Sequence, residues 1–406
     1  MKKSLPLIFG FMVFFGYGLV LNTFNIEIIP STLEHNHPDL FYDYRGITNL
    51  QTQKSTGSGT IDKIANAARE AEVDFVFLTD LNLSPSEEQF EGYKENVLFI
   101  KAAKYSFLDS RILVYKSDSI FNQSSSYKVN GIFSDIFSGG ESENNFLALA
   151  HPFKNGFRWN GPLPAAINGI EVINLKSVWQ KSWLESKFSF FWTLFTYPFN
   201  PRLAFIRLFE NQKQQLKFWD QVTKIRPLVG LAGTDAEAKV KGVLGGNFEF
   251  PSYENLFEVV SNHVLLNSEL TGDAARDKLK IIEALSNGQF YFSLDLLANP
   301  KGFVAYIKGK DKVFPIGKTI SFSKNLSLVV KLPTEPLVPY EIVVYKNGSK
   351  HFIINDVRGE IPIHEPGTYR IVVRVIPTLP LPDGKRWFTW IYTNPFYVRG
   401  LTSSSP

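Results

Sequence analysis

The feature that most constrains the fold is a repeated pattern in which an apolar segment ends in a polar residue. The apolar segments, each with the polar residues that follow it, are Val73–Leu78 before Thr79-Asp80, Phe146–Ala150 before His151, Gly169–Ile173 before Asn174, and Leu228–Gly233 before Thr234-Asp235. Short apolar runs of this kind predict buried strands. In α/β barrels, chain-distant side chains converge at the C-terminal ends of the strands. The set therefore predicts such a barrel, although any single polar strand end is equally explained by contact with water.

A helix is predicted directly before the first of these strands. Thr60 is a suitable N-cap residue, and Ile61, Ile64, Ala65 and Ala68 recur at the spacing of one helix face. Alternating helix and strand patterns favour an α/β unit, which we place at residues 44–300.

Composition narrows the classes of function. The chain has 406 residues, of which 44% are hydrophobic and 15% aromatic, enough to bury a large core in two or three domains. It has no cysteine, which excludes thiolate catalysis, disulfides, iron–sulfur clusters and zinc fingers. The formal charge is only +4, from 43 basic and 39 acidic residues, so no nucleic-acid partner is expected. With only six histidines, the chain has few imidazole ligands for a metal centre.

The N-terminal sequence predicts a secretory signal or a membrane anchor. Lys2 and Lys3 precede an uncharged stretch from Ser4 to Ile26. Its apolar centre would span about 25 Å as a helix, which is marginal for a bilayer. Because no small-x-small cleavage site follows, residues 1–26 are predicted to be an uncleaved signal anchor in the membrane. The positive-inside rule then predicts that the body lies on the exported, periplasmic or extracytoplasmic side.

The C-terminal part has a different pattern. Apolar residues alternate over Leu326–Leu332 and Tyr369–Val375, which predicts strands with one buried face. Asn347-Gly348 is a strong signal for a tight hairpin. We therefore predict an antiparallel β-sandwich domain over 301–400, with a linker at 27–43 and a tail at 401–406.

An aromatic stretch at Phe188–Phe195 has three interpretations. It could lie on a membrane surface, cover the barrel as a lid, or pack as a core helix. In the linker, His35 and His37 form a His-x-His pattern. We interpret them as solvated linker residues, the alternative being a loop that folds over the barrel mouth.

Taken in order, several stretches make the chain similar to the PHP (polymerase and histidinol phosphatase) superfamily, in the bacterial branch that carries a C-terminal β domain. The stretches are Tyr44–Gly46, Ser55–Gly57, Phe218–Asp220, Pro251–Phe257, Leu270–Ala275, Ala284–Gly288 and Trp390–Pro395. The resemblance extends from Tyr44 to Val398. It implies a distorted (β/α)7, TIM-like barrel that holds two or three divalent metals, typically zinc, manganese or iron, and hydrolyses phosphoesters.

The resemblance also implies where the metal ligands would lie, and most of those positions carry other residues. The family's His-x-His, the histidine of its Thr-Asp-His-Asn motif, its bridging glutamate and its last histidine correspond here to Asn49 and Gln51, Leu81, Lys104 and Glu237, respectively. The positions that retain the family residue are Asp80, His151 and Asp235.

These substitutions predict a dismantled metal centre. Amides are weak ligands, a leucine side chain has no donor atom, and an ammonium in a bridging position repels two dications. Asp80, His151, Asp235 and Glu237 could still hold one divalent ion, but not the bridged pair that activates water between two metals. Alternatively, Lys104 replaces the metal in a hydrogen-bonded cluster with both aspartates and the histidine, or it extends into solvent.

The favoured function is a non-catalytic binding or scaffold protein of the cell envelope, without a cofactor, that holds a phosphorylated or polyanionic ligand at the barrel mouth. The first alternative is a PHP-type phosphoesterase with a reduced, one-metal site. The second is a metal-free hydrolase in which His151 acts as general base, oriented by Asp80 or Asp235. The sequence indicates no protein partner.

Overall fold

The computed structural model describes residues 5–26, 28–30, 40–85, 89–123, 125–139, 144–209, 212–241 and 247–400. His35, His37, most of the predicted linker and the tail at 401–406 lie outside these ranges.

Within them the chain is a mixed α/β protein. Its helices are α1 (Leu5–Thr23), α2 (Ile61–Glu70), α3 (Asp118–Phe121), α4 (Ser126–Phe137), α5 (Leu175–Glu185), α6 (Lys187–Thr196), α7 (Pro201–Leu208), α8 (Lys213–Thr223), α9 (Tyr253–Phe257) and α10 (Ala274–Ser286). Its strands are β1 (Tyr42–Leu50), β2 (Phe75–Leu78), β3 (Gly92–Lys94), β4 (Val97–Lys101), β5 (Ala103–Phe107), β6 (Ser110–Lys116), β7 (Phe146–Ala150), β8 (Ile167–Asn174), β9 (Val229–Gly233), β10 (Val240–Lys241), β11 (Asn247–Phe248), β12 (Ser261–Leu266), β13 (Phe290–Ser293), β14 (Val304–Lys308), β15 (Val313–Pro315), β16 (Thr319–Ser321), β17 (Ser327–Lys331), β18 (Tyr340–Lys346), β19 (Ser349–Ile354), β20 (Arg358–Pro362), β21 (Gly367–Val375), β22 (Phe388–Thr393) and β23 (Phe396–Arg399).

The predicted apolar segments form β2, β7, β8 and β9, and every residue of β2, β7 and β9 is buried. They belong to two sheets. In one sheet β2 lies parallel to β1 and β4, and in the other β8 lies parallel to β7 and β9. Isolated bridges between Leu50 and Ala236 and between Leu81 and Lys104 join strand ends. These bridges bring together the chain positions where the polar residues follow the strands.

The predicted helix before β2 is present. The Thr60 hydroxyl accepts a hydrogen bond from the backbone N–H of Lys63 at 3.3 Å, which satisfies one of the free donors at the helix start. Ile64, Ala65 and Ala68 are buried, so the apolar face of α2 packs into the core as its spacing predicts.

The C-terminal residues form strands in two sheets, and their pairings are antiparallel except that β16 lies parallel to β23. One is the four-stranded sheet β15-β14-β17-β20, and the other continues the sheet of β1 and β2 through the pairing of β13 with β22. The hairpin β18–β19 turns at Asn347 and Gly348, whose φ values are 51° and 78°, the left-handed backbone that this turn requires. Because one sheet continues across residue 300, the two predicted units share strand hydrogen bonds.

The aromatic segment forms α6 and packs on α1. The rings of Phe14 and Phe195 have centroids 4.2 Å apart. A Cβ at Gly18 would lie 2.4 Å from the Phe199 ring, so only glycine allows this approach. Phe188 and Phe191 remain 64% and 56% exposed, so α6 is not a buried core helix.

In the described part of the chain, no helix combines the length and the apolarity needed to cross a bilayer. The predicted transmembrane anchor is therefore not supported.

Candidate functional site

Lys104 and Asp235 form a buried ion pair at the strand ends. The Lys104 ammonium contacts Oδ1 of Asp235, and the two side chains are only 5% and 1% exposed. Lys104 lies in β5 and is held beside Leu81 by the backbone bridge, whereas Asp235 follows β9. The predicted contact between this lysine and an aspartate is therefore present, and extension of Lys104 into solvent is excluded.

The Asp235 carboxyl is charged at neutral pH. Burial by itself would raise the pKa of Asp235, but the ammonium groups of Lys104 and Lys176 outweigh it and hold that pKa well below its usual range. A buried carboxylate needs such a partner because desolvation of an isolated charge is costly. Lys104 thus supplies next to Asp235 the positive charge that a metal ion would otherwise supply.

Gln51 joins the same cluster. With its amide oxygen facing the ammonium, it accepts from Lys104 Nζ at 3.0 Å and donates to Asp235 Oδ1 at 3.1 Å; the hydrogen-bond network selects this orientation. Gln51 therefore bridges the ion pair. It acts as a hydrogen-bonding spacer, because a neutral carboxamide can donate to the carboxylate and accept from the ammonium at once.

Glu171 is a site residue that sequence reasoning missed. It is 1% exposed in β8 and accepts hydrogen bonds from Asn49 Nδ2 at 2.7 Å, the His151 backbone N–H at 2.8 Å and Asn174 Nδ2 at 2.8 Å. Burial and the charge of Asp235 raise its pKa to about 7, against the effect of Lys104 and these donors. The signal available in the sequence was an acidic residue inside the apolar segment at 169–173.

Gly233 makes room for this carboxylate. A Cβ at that position would lie 1.7 Å from Glu171 Oε1. Any larger residue at the end of β9 would displace Glu171 and the Asn49 amide bonded to it, so glycine here is a requirement of the site.

Asp80 is engaged elsewhere than predicted. Its carboxylate accepts from the Thr52 backbone N–H at 2.8 Å, the Thr52 hydroxyl at 2.9 Å and the Ser55 hydroxyl at 2.5 Å. It makes no side-chain contact with Lys104 in the described structure. The predicted cluster therefore keeps Asp235 but lacks Asp80, because the loop after β1 supplies the hydrogen bonds to the Asp80 carboxylate.

Glu237 likewise has other partners. It accepts from Lys176 Nζ at 2.5 Å and from Thr56 Oγ1 at 2.9 Å. The Lys176 side chain is 41% exposed, so this pair lies nearer to solvent than the pair of Lys104 and Asp235.

His151 places a neutral imidazole beside the cluster. Burial lowers its pKa to about 3, although Asp235 acts in the opposite direction. Its Nδ1 is buried and has no hydrogen-bond partner among the described residues, and no described bond links the ring to Asp80 or Asp235. The orientation of this histidine by Asp80 or Asp235 stays a prediction.

The donor set does not fit a divalent metal. In the ranges that the structure describes, no three His, Cys, Asp or Glu side chains are placed to hold an ion. The predicted ligands Asp80, His151, Asp235 and Glu237 do not form one set in the described residues, where their carboxylates bind hydroxyl or ammonium groups. Zinc or manganese would have to displace the Lys104 ammonium to reach Asp235.

Cations surround this cluster. The negative charge of Asp235 acts to raise the pKa values of Lys154, Lys176 and Arg111. Burial lowers the pKa of Lys154 to about 8, and the guanidinium of Arg111 lies 4.5 Å from the centre of the Phe157 ring. The mouth of the site therefore carries positive groups in addition to Lys104.

No family model and no curated protein matches the sequence. A crystal structure of a two-domain protein containing a predicted PHP-like metal-dependent phosphoesterase from Bacteroides vulgatus is 12% identical, covers 89% of this chain and 97% of its own, and has a TM-score of 0.41. A provisionally assigned metal-dependent phosphoesterase from Bifidobacterium adolescentis is 13% identical. The match covers 51% of this chain and 93% of the other, with a TM-score of 0.25. Both solved structures are described as metal-dependent phosphoesterases, and the first as PHP-like, at low identity and with low TM-scores.

Proposed function

We propose that this chain is a non-catalytic, PHP-like binding or scaffold protein of the cell envelope that holds an anionic ligand. The observation that carries the proposal is the Lys104 ammonium on Asp235. This internal cation meets the charge requirement of the buried carboxylate without a metal. Two metals that activate a bridging water are then disfavoured, because the ammonium occupies the space and repels them.

The proposal includes a barrel of the (β/α)7 type. Its support is the pair of bridges at Leu50–Ala236 and Leu81–Lys104, which connect strand ends of the two sheets. Such a closure would place β1, β2, β5 and β9 around one mouth, where Lys154, Lys176 and Arg111 add positive charge. Clefts lined by one sign of charge concentrate ligands of the opposite sign.

Membrane attachment on the exported side is also part of the proposal. Helix α1 contains no charged residue and exposes Phe9 and Phe11, while α6 exposes Phe188 and Phe191 on the neighbouring helix. Exposed aromatic side chains suit the interfacial layer of a bilayer. Flotation of the full chain with vesicles tests this attachment, and a chain that stays free of vesicles would contradict it.

A reduced metal site is the alternative, and one observation favours it. The His151 imidazole is neutral and its buried Nδ1 lacks a described partner; a neutral imidazole is the form that binds zinc. If a metal is bound, His151 and Asp235 would hold it after Lys104 moves away.

Equilibrium dialysis of the full chain against Zn²⁺ and Mn²⁺, with turnover of 4-nitrophenyl phosphate, decides between the two. We expect no stoichiometric tight metal and no turnover above the blank. A tightly bound metal that disappears in His151→Ala, but persists in the matched surface variant His351→Ala, would overturn the proposal. Turnover that survives a chelator and is lost in His151→Ala would instead establish a metal-free hydrolase.

A further inference from the structure

A cleft of about 770 Å³ lies beside the strand-end cluster. It is bounded by α5, α8, the segment after β7 and the strand β22. Lys154 lines it three residues after His151, and Ser177 lines it near the end of β8. The cleft therefore reaches from the cationic mouth to the boundary with the C-terminal strands.

The described charged groups of the cleft are mainly positive. Lys154, Lys181, Lys213 and Arg386 line it, and the described carboxylate is Glu185, which pairs with Lys181 at 3.7 Å. Lys154 is half-buried and makes no ion pair among the described residues. Its ammonium instead lies 5.0 Å from the centre of the Phe157 ring. Asp235 and Glu237 act on this ammonium without pairing with it directly, and a half-buried charge without a direct partner favours an anionic ligand.

Part of the cleft wall is apolar. Leu208, Phe209 and Phe388 contribute to its wall and are 5%, 5% and 4% exposed. Ligand sites typically combine an apolar wall with a few placed polar groups. A purely inorganic anion would leave this wall unused, and a neutral apolar molecule would leave Lys154 without a counter-ion.

We propose that this cleft binds an amphiphilic organic anion, a phosphate or sulfate ester whose charged head lies at Lys154 and whose aromatic or aliphatic part lies against Phe209 and Phe388. The inference rests on the proposed function and deepens it, because it names the class of the anionic ligand. The same chemistry occurs in lipid headgroups and in free aryl phosphates.

The test is fluorescence titration of the full chain with 2-naphthyl phosphate in the presence of excess chelator. Neutral 2-naphthol and inorganic phosphate serve as the two fragment controls. We expect naphthyl phosphate to bind about tenfold or more tightly than either fragment, because it alone satisfies both parts of the cleft. Lys154→Met should weaken binding by about tenfold, whereas Lys128→Met, an exposed lysine on α4, should leave it unchanged.

A second variant addresses the apolar part. Gln215→Trp on α8 adds a large side chain to the cleft wall and should abolish binding while the thermal unfolding temperature stays near that of the wild type. Equal affinity for naphthol and naphthyl phosphate, or unchanged affinity in both Lys154→Met and Gln215→Trp, would overturn the inference. Tight metal binding would instead contradict the proposed function, and the binding of naphthyl phosphate to the cleft could still be interpreted. Binding to vesicles with phosphatidic acid that depends on Lys154 would identify a lipid headgroup as the ligand. Binding of the free probe alone would identify a soluble organic anion.

Discussion

Replacement of Lys104 by methionine tests the central feature of the site. The substitution keeps most of the side-chain volume but leaves Asp235, 1% exposed, without its nearest cation. Removal of one partner from a buried ion pair costs about 3–5 kcal/mol. Because Lys176 also lowers the pKa of Asp235, we expect the lower end of this range, a loss of about 3 kcal/mol in the free energy of unfolding at pH 7.

Urea unfolding of the variant and the wild type measures this loss. The matched control is Lys63→Met, which breaks a pair with Glu249 whose side chains are 48% and 32% exposed, and it should cost less than about 1 kcal/mol. The double variant Lys104→Met/Asp235→Asn should recover much of the loss, because it leaves no uncompensated buried charge.

The same loss should depend on pH. The pKa of Asp235 is lowered in the folded state, so its stabilising contribution is present above the unfolded pKa of about 3.9 and disappears as the pH falls. The difference between wild type and Lys104→Met should therefore shrink in acid. A loss below about 1 kcal/mol at pH 7, or a double variant no more stable than Lys104→Met, would refute the reasoning.

Two further predictions concern buried ion pairs away from the site. Burial alone would lower the pKa of His263, but Asp43 and Asp295 raise it to about 9, so its contribution is complete below about pH 6.5 and is lost as the pH rises through 9. His263→Gln should therefore cost about 3 kcal/mol more at pH 6 than at pH 10 in urea unfolding; an equal cost at both values would contradict this. Arg370 binds Asp220 through two hydrogen bonds of 2.7 and 2.8 Å, and Arg370→Lys should lower stability by about 1–2 kcal/mol in thermal unfolding, because an ammonium cannot form both bonds. A lysine variant as stable as the wild type would count against that pair.

Local patterns in the sequence were sufficient to predict individual elements. Strand β9, the cap at Thr60 and the hairpin turn at Asn347 depend on residues that lie within a few positions of each other. Apolar period, capping chemistry and left-handed turn residues act over that range, so the prediction needed no knowledge of the fold.

The partners of the site residues could not be predicted in this way. Asp80 accepts hydrogen bonds from Thr52 and Ser55, which precede it by 28 and 25 positions in the chain. Lys104 contacts Asp235, which lies 131 positions further along the chain. Which carboxylate receives the ammonium depends on strand register and on space in the core, and neither is encoded within a short window. The assignment of four residues to one metal site depends on the same long-range contacts, so the sequence could not decide it.

The amino-acid sequence by itself determined which chemical groups are present: few imidazoles, no thiol, and a lysine where the PHP-like pattern has a carboxylate. Only the tertiary structure decided that the lysine pairs with Asp235, that Glu171 is buried among amide donors, and that cations and aromatic rings line one cleft. The physical reason is that charge and hydrogen-bond energies depend on distance and burial, and both are set by contacts between residues far apart in the chain.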